Sequence, residues 1–556
     1  MSDSRASDLI KDGDKLFDKR SPLLSLWQEI ALNFYVERAD FTYTRSLGEE
    51  FADHLTSSFP LLCRRDLGNS FSSMLRPRDR VWAKTSIARE DRLDDAGRAW
   101  LEMAGTVQRR AMYARPTNFI RATREGDHDF AAFGQCVLSV ELNSRRDDLL
   151  YRCWHLRDVA WCEDAEGKIK EIHRKWKPTA KDLLKIFPKA TFSQTIKDAA
   201  ENDPYREVEV RNIVVRADDY EAPSGKKWRT PYVDIFIDVE SKTVIEETGI
   251  YNQKYAIPRW QTVSGSQYAH SPATIIALPD ARLIQAMTLT LLEAGEKVAN
   301  PPMVAVKDAI RSDVNAYSGG ITWADAEYDE RLGEVLRPIT TDSRGLPFGD
   351  KMRDDVKEML TRAFFLNELS LPAPTESKEM TAFEAGQRVQ EYIRRALPLF
   401  EPMEIEYNGA ICELTFDVLM RSGAFGSPLD MPQSLRGQEI QFRFVSPLTE
   451  AIEKQKVQTF AEARAIIAEA VALDPSAGGI LDGATALRDV LQSNGTPQRW
   501  LRTQEQLQAA EDQKNAQMAQ EQLLTGMERG ANVAKTIGEA GGALRDAGIA
   551  GMGQAA

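Results

Sequence analysis

Two apolar-periodic stretches of nearly equal length, 280–300 and 350–369, stand either side of a short segment, 301–349. "DARLIQAMTLTLLEAGEKVAN" places Ile284, Met287, Leu291 and Val298 near one helical face. Asp280 is placed to cap its start, and Asn300-Pro301-Pro302 ends it. "DKMRDDVKEMLTRAFFLNEL" puts Met352, Val356, Met359, Leu360, Ala363 and Phe364 on one side. At 1.5 Å per residue each helix spans about 30 Å. The segment between them carries short strand candidates, "PMVAV", "GGITWA" and "GEVLRPI". The pattern predicts an up-and-back helical hairpin with a small head at its far end. Such a hairpin cannot bury both faces within one chain.

The flanks differ in kind. Helical periodicity runs through about 22–38, 48–75, 88–113 and 116–132, with Leu23, Leu26, Trp27, Ile30 and Phe34 on the first face and Pro22 in its first turn. The period then becomes strand-like at 136–142, 150–162, 168–176, 207–215, 231–239 and 242–247, with "DAEG" at 164–167 as a hairpin turn. After the hairpin comes "LSLPAPTESKEMTAFEAGQR", 369–388. Pro372 and Pro374 stiffen the root of a polar loop that carries Thr375, Ser377 and Lys378. Thr381 and Glu384 have the spacing of a capping box for the next helix, which Pro398 and Pro402 should kink and which resumes to about Ser422. Helices at about 449–472, 480–492 and 499–525 follow, and the last thirty residues are rich in Gly and Ala. The fold class is α+β, mainly helical.

Composition removes several classes of function. The net charge of −13 argues against a free, tight nucleic-acid binder. Five scattered cysteines suit a reducing compartment without a disulfide framework. The N-terminus lacks an apolar signal core, and no uninterrupted apolar run reaches membrane-spanning length, so a soluble intracellular product without a membrane partner is expected. There is no phosphate-loop motif, no H-E-x-x-H and no G-x-S-x-G, so no catalytic residue, cofactor or cofactor-binding residue is assigned. Cys153, His155, Cys162 and His173 have the atoms to bind zinc, but their spacing fits strands better than a ligand set, and no metal site is assigned.

This order of parts, with the stretches "RADFTYTRSLGEE", "DLGNSFSSMLRPRDRVWAKT", "NFIRATREGDHDFAAFGQCVLSVE" and "MTAFEAGQRVQEYIRRALPLFEPMEIE", resembles the portal, or head-to-tail connector, proteins of short-tailed bacteriophages over about residues 20–525. The resemblance implies a portal-type fold: a homo-oligomeric ring of about twelve subunits around a central channel at one capsid vertex of the virion, assembled in the host cytoplasm. By the same resemblance, residues 1–279 form wing, with the β-rich block from about 133. The helices 280–300 and 350–369 form stem, 301–349 clip, and 370–381 channel loop. Residues 382–445 complete the wing and 446–525 form crown; the Gly- and Ala-rich 526–556 read from composition alone as a tail that is mobile or ordered only in an assembly. Implied partners are a packaging motor (terminase), tail adaptor proteins, major capsid and scaffolding proteins, and double-stranded DNA passing through the channel.

On that footing, an acidic wall with a few lysines keeps DNA moving, and Lys378 is a weak contact. An ordinary surface connection remains the alternative for the loop. Asp325, Glu327, Asp329 and Glu330 in "DAEYDE" are either a docking patch for motor or adaptor or solvated surface. Arg76, Arg78 and Arg80 fit a phosphate patch or intersubunit ion pairs equally. The rival readings are a packaging enzyme, which should carry a phosphate loop, and another head or tail structural protein.

Overall fold

A computed structural model describes residues 4–46, 48, 52–78, 80–89, 93–220, 228–305, 310, 323, 336–338, 345–369, 403–445, 459–469, 483–493 and scattered positions from there to 536. The chain divides into two compact units, one of 1–86, 104–428 and 440–452, the other of 87–103, 429–439 and 453–556.

In the first unit, helices α1 (Ser4–Lys19), α2 (Ser21–Phe34) and α3 (Phe59–Leu75) precede strand β1 (Ala83–Ile87) and helix α4 (Asp95–Met112), which begins in the other unit. Helix α5 (Phe119–Phe133) follows, and its residues are mostly buried because α2, α3 and a sheet pack around it. That sheet is antiparallel, in the order β3 (Leu149–Trp154), β2 (Val137–Leu142), β9 (Tyr255–Ala256). Aromatic rings fill the space between layers: Phe130 stacks on Trp260 at 5.4 Å, and Trp27, Phe41 and Phe133 meet edge to face or tilted.

The second sheet is a five-stranded antiparallel meander of β4 (Val159–Glu163), β5 (Ile169–Trp176), β6 (Val210–Arg216), β7 (Tyr232–Asp238) and β8 (Thr243–Ile250). Both faces are covered, so β6 is buried from Val210 to Val215 rather than on alternate residues, with Arg211 and Asn212 among those buried. Ile213, Val215, Val233, Ile235 and Ile237 meet Ala6 and Ile10 of α1. Val210 and Ile245 meet Leu183 of α6 (Ala180–Ile186), Phe187 just after it, and Ile196 of α7 (Gln194–Asn202). The "DAEG" turn forms as expected: the Asp164 carboxylate accepts from the amides of Glu166 and Lys168, at 2.9 and 3.0 Å.

Several boundaries differ from the sequence reading. The stretch 150–162 is two strands in two sheets, broken by a 3₁₀ turn at Leu156–Asp158. The buried Arg20 guanidinium gathers the carbonyls of Leu156, Arg157 and Val159, and Asp40 accepts from Arg157 Nη1 at 2.9 Å. Those bonds outweigh β propensity. Helix α3 starts only at Phe59, with Pro60 in its first turn, and α4 only at Asp95. The helices α6 and α7 were not anticipated, although Thr179 caps α6 through Asp182 N.

Helix α8 (Pro272–Ala299) begins eight residues before Asp280. Ser271, not Asp280, caps it, and Pro279 lies within it. Pro279 is exposed, so the Ile275 carbonyl it leaves without an amide can face water. Strands β10 (Met303–Ala305) and β11 (Leu336–Pro338) form an antiparallel ribbon. Helix α9 (Leu346–Ala363) returns, and the predicted helix 350–369 is interrupted at Phe365, whose φ is 56°, before the short α10 (Leu366–Leu369). A π-helical turn at Glu404–Gly409 leads into α11 (Ala410–Ser422), and β12 (Ile440–Phe444) pairs with β1.

In the second unit, α12 (Gly483–Ser493) brings Arg488 within 3.3 Å of Asp95. The Asp94 carboxylate accepts from Ser434 Oγ at 2.6 Å and from Gly97 N at 2.7 Å, and these bonds hold its pKa below the ordinary value.

Candidate functional site

The residues singled out from sequence as channel loop (Pro372, Pro374, Thr375, Ser377, Lys378) and as docking patch (Asp325, Glu327, Asp329, Glu330) lie outside the described residues, as do Thr381, Glu384, Pro398 and Pro402. The structure describes what flanks them: the hairpin, its terminal ribbon, and the turn that follows the loop.

The hairpin of α8 and α9 is fixed at one end and bare at the other. Near its base, Ala277, Leu278, Ala281 and Ile284 are buried, as are Val356, Leu360 and Ala363 opposite. Gln285 pins the base to the start of α3: its Oε1 accepts from Thr56 N and Ser57 N at 2.8 and 2.7 Å, and its Nε2 donates to Ser57 O at 2.8 Å. A Cβ on Gly349 would lie 2.8 Å from Leu291 Cδ2, so the glycine permits the close helix crossing. Further along, Leu289, Leu292, Val298, Phe348 and Met352 are exposed, Phe348 by 68%, and Met359 is exposed on the outer side near the base. The single face expected for α9 is therefore split, with Val356 and Leu360 inside and Met352 and Met359 outside. Among the described residues, α8 is also the one helix long and apolar enough to cross a bilayer by length and composition.

Beneath the π-helical turn sits a buried polar knot. Arg76 donates from Nη1 to Asn408 Oδ1 at 2.8 Å and from Nη2 to Asp127 Oδ1, and its guanidinium lies over the Tyr407 ring. Tyr407 Oη donates to the Thr123 carbonyl at 3.3 Å. Burial pulls the Arg76 pKa down and the Asp127 carboxylate more than offsets it, so the guanidinium stays charged. Removing one partner would strand the other in the core. This knot has no local sequence signal, since its members come from α5, the turn and the residue after α3.

The knot also decides the "RPRDR" question in part. Arg76 is internal and unavailable to a phosphate, whereas Arg78 and Arg80 are exposed. The four zinc-capable residues do not converge on one point. Cys153 lies 3.6 Å from Asp129, His155 Nε2 is 2.6 Å from Asp40, and Cys162 and His173 each contact Glu171. Burial pushes the Cys153 thiol well above its ordinary pKa, and burial with Glu171 pushes Cys162 up to about 11.

A long helical hairpin ending in a two-stranded ribbon, seated on a helical layer with two antiparallel sheets, follows the order of parts read from the sequence. The profile of the bacteriophage head to tail connecting protein family matches residues 6–501, and the chain belongs to that family. It is 25% identical over 452 residues to the probable portal protein of Bordetella phage BPP-1, covering 80% of this chain and 79% of that one. It is 19% identical over 551 residues to the portal protein of Salmonella phage epsilon15, covering 97% and 96%. Among solved structures, a chain from the virion of a native gene transfer agent particle aligns over 74% of this chain and 86% of its own, at 9% identity and a TM-score of 0.35.

Proposed function

We propose that this chain is the portal subunit of a short-tailed phage: about twelve copies form a ring at one capsid vertex, through which a docked motor packages DNA and to which the tail then attaches. The observation that carries this reading, beyond family membership, is the exposed apolar side of α8 and α9. One chain leaves it in water, and equivalent hairpins of neighbouring copies bury it if they stand side by side around an axis. Leu289, Leu292 and Met352 are then covered by protein rather than lipid, and no membrane is involved.

In this reading 1–279 and 382–445 are wing, 280–300 and 350–369, which hold most of α8 and α9, are stem, and the ribbon of β10 and β11 belongs to the clip, 301–349, at the tail end. Residues 370–381 are the channel loop and 446–525 the crown, with 526–556 following it. The subunit has no catalytic role; motor, adaptor, capsid and scaffolding proteins are its partners in the virion, after assembly in the host cytoplasm. The test is docking. Replacing Asp325, Glu327, Asp329 and Glu330 by lysine should weaken pull-down of motor or adaptor while rings persist. Deleting 373–379 should leave rings intact and reduce DNA retention in heads, because Lys378 contacts are solvated and screened over about 8 Å at physiological salt. Loss of rings on that deletion would make the loop a structural joint.

A further inference from the structure

Between Ala104 and Arg124 the sequence holds five arginines and no carboxylate, in a chain where acidic residues outnumber basic ones 84 to 71. The structure folds this stretch into one corner, the end of α4, a 3₁₀ turn at Arg115–Thr117 and the start of α5. The corner is rigid: Thr117 Oγ1 donates to the Met112 carbonyl at 2.7 Å, and the Phe119 ring packs against Tyr113 and Tyr151 at 5.1 and 5.0 Å. On it Arg110, Arg115, Arg121 and Arg124 are exposed. Arg109 donates from Nη2 to the Arg78 carbonyl at 2.7 Å, which brings exposed Arg78 to the same ridge.

Helix stability accounts for only part of this. Arg109 and Arg110 complement the negative end of α4, but Arg121 lies in the first turn of α5, the positive end, where a cation is disfavoured. Arg121 has Glu125 at 3.0 Å, while Arg110, Arg115 and Arg124 have no ion-pair partner among the described residues. A protein-binding surface would centre on apolar and aromatic anchors. Here the exposed apolar residues are Pro116 and Ile120 alone. A row of planar guanidinium forks held on a fixed corner instead matches phosphate, and a duplex presents about one charge per 1.7 Å.

We propose that this arginine ridge binds the phosphate backbone of duplex DNA without reading its sequence, as a contact separate from the channel loop. The choice of DNA as the polyanion rests on the portal reading. The test uses full-length protein and a short fluorescein-labelled duplex of arbitrary sequence, followed by anisotropy between about 50 and 200 mM salt. The variant Arg110→Gln/Arg115→Gln/Arg124→Gln should bind at least about tenfold more weakly at the low-salt end and lose about 2–3 from the slope of log K against log salt. The corresponding Lys variant should keep most of both. Lys181→Gln/Lys185→Gln/Lys189→Gln, which removes the same charge from exposed positions elsewhere, should match the unaltered protein. Equal affinity and slope in the Gln variant and the unaltered protein would overturn the ridge. So would a Gln variant that binds DNA normally but changes its subunit number by mass photometry, which would make the ridge a contact between copies. Micrographs of the same samples separate the two readings: rings with no ridge effect sink only the ridge, whereas no rings sinks the portal reading itself.

Discussion

His128 is the residue through which acid reaches the helical core. Its Nδ1 is 3.1 Å from Arg64 Nη1, a bond that requires that nitrogen to be unprotonated, and a Cβ on Gly68 would nearly touch the ring. Burial first, then Arg64 and Arg124, lower its pKa to about 4. The sign follows from linkage. The unfolded chain takes up a proton near pH 6.5 and the folded chain only near 4, so the contribution to stability is whole above 6.5 and is lost as pH falls through that window. After allowance for solvent screening it is about 1–3 kcal/mol. The melting temperature should therefore fall between pH 7 and 5, and less steeply in His128→Gln; parallel curves for the two proteins would remove His128 from the account. Gly134 gives a sharper contrast. Its φ is +72° and a Cβ would lie 2.1 Å from the His270 carbonyl carbon, whereas Gly167, φ +77°, faces open space. Gly167→Ala should cost about 1 kcal/mol and Gly134→Ala well over 2 kcal/mol in thermal or chemical denaturation, the latter including loss of folding. Individual roles were poorly legible in the sequence. "RPRDR" reads as one patch, yet burial against Asp127 separates Arg76 from its neighbours, and nothing local announces a partner 51 positions away.

The elements were more legible than the residues. Strand periodicity found β2 and β5 to β8 nearly to their ends, because each has a covered face that fixes which residues are apolar. Misreadings arose where side chains override the local signal. Arg20 and Asp40 turn the chain at 156–158, and Ser271 rather than Asp280 caps α8, with Pro279 at an exposed position inside the helix. Ser271 caps α8 and donates to the Ala131 carbonyl at 2.7 Å, so Ser271→Ala should lower stability by about 1–2 kcal/mol without changing assembly. The exposed side of the hairpin behaves oppositely. Leu289→Asp with Leu292→Asp removes nothing buried within the chain, so circular dichroism should be unchanged while self-association is lost. If the double variant assembles like the unaltered protein, the apolar side of α8 is not an interface.

At the scale of the whole molecule, the hairpin was legible because two apolar-periodic stretches flank one short segment, although the helices prove unequal, 28 residues in α8 and 18 in α9. The channel loop and the acidic patch rest on sequence and family alone, since both lie outside the described residues. Net charge −13 favours the separate chain in water, and the bare apolar hairpin opposes it. Imaging the purified full-length protein by negative stain, with mass photometry at micromolar concentration, tests this most directly. The account predicts rings of about twelve subunits with an open centre. A stable monomer with no rings in the images would contradict it.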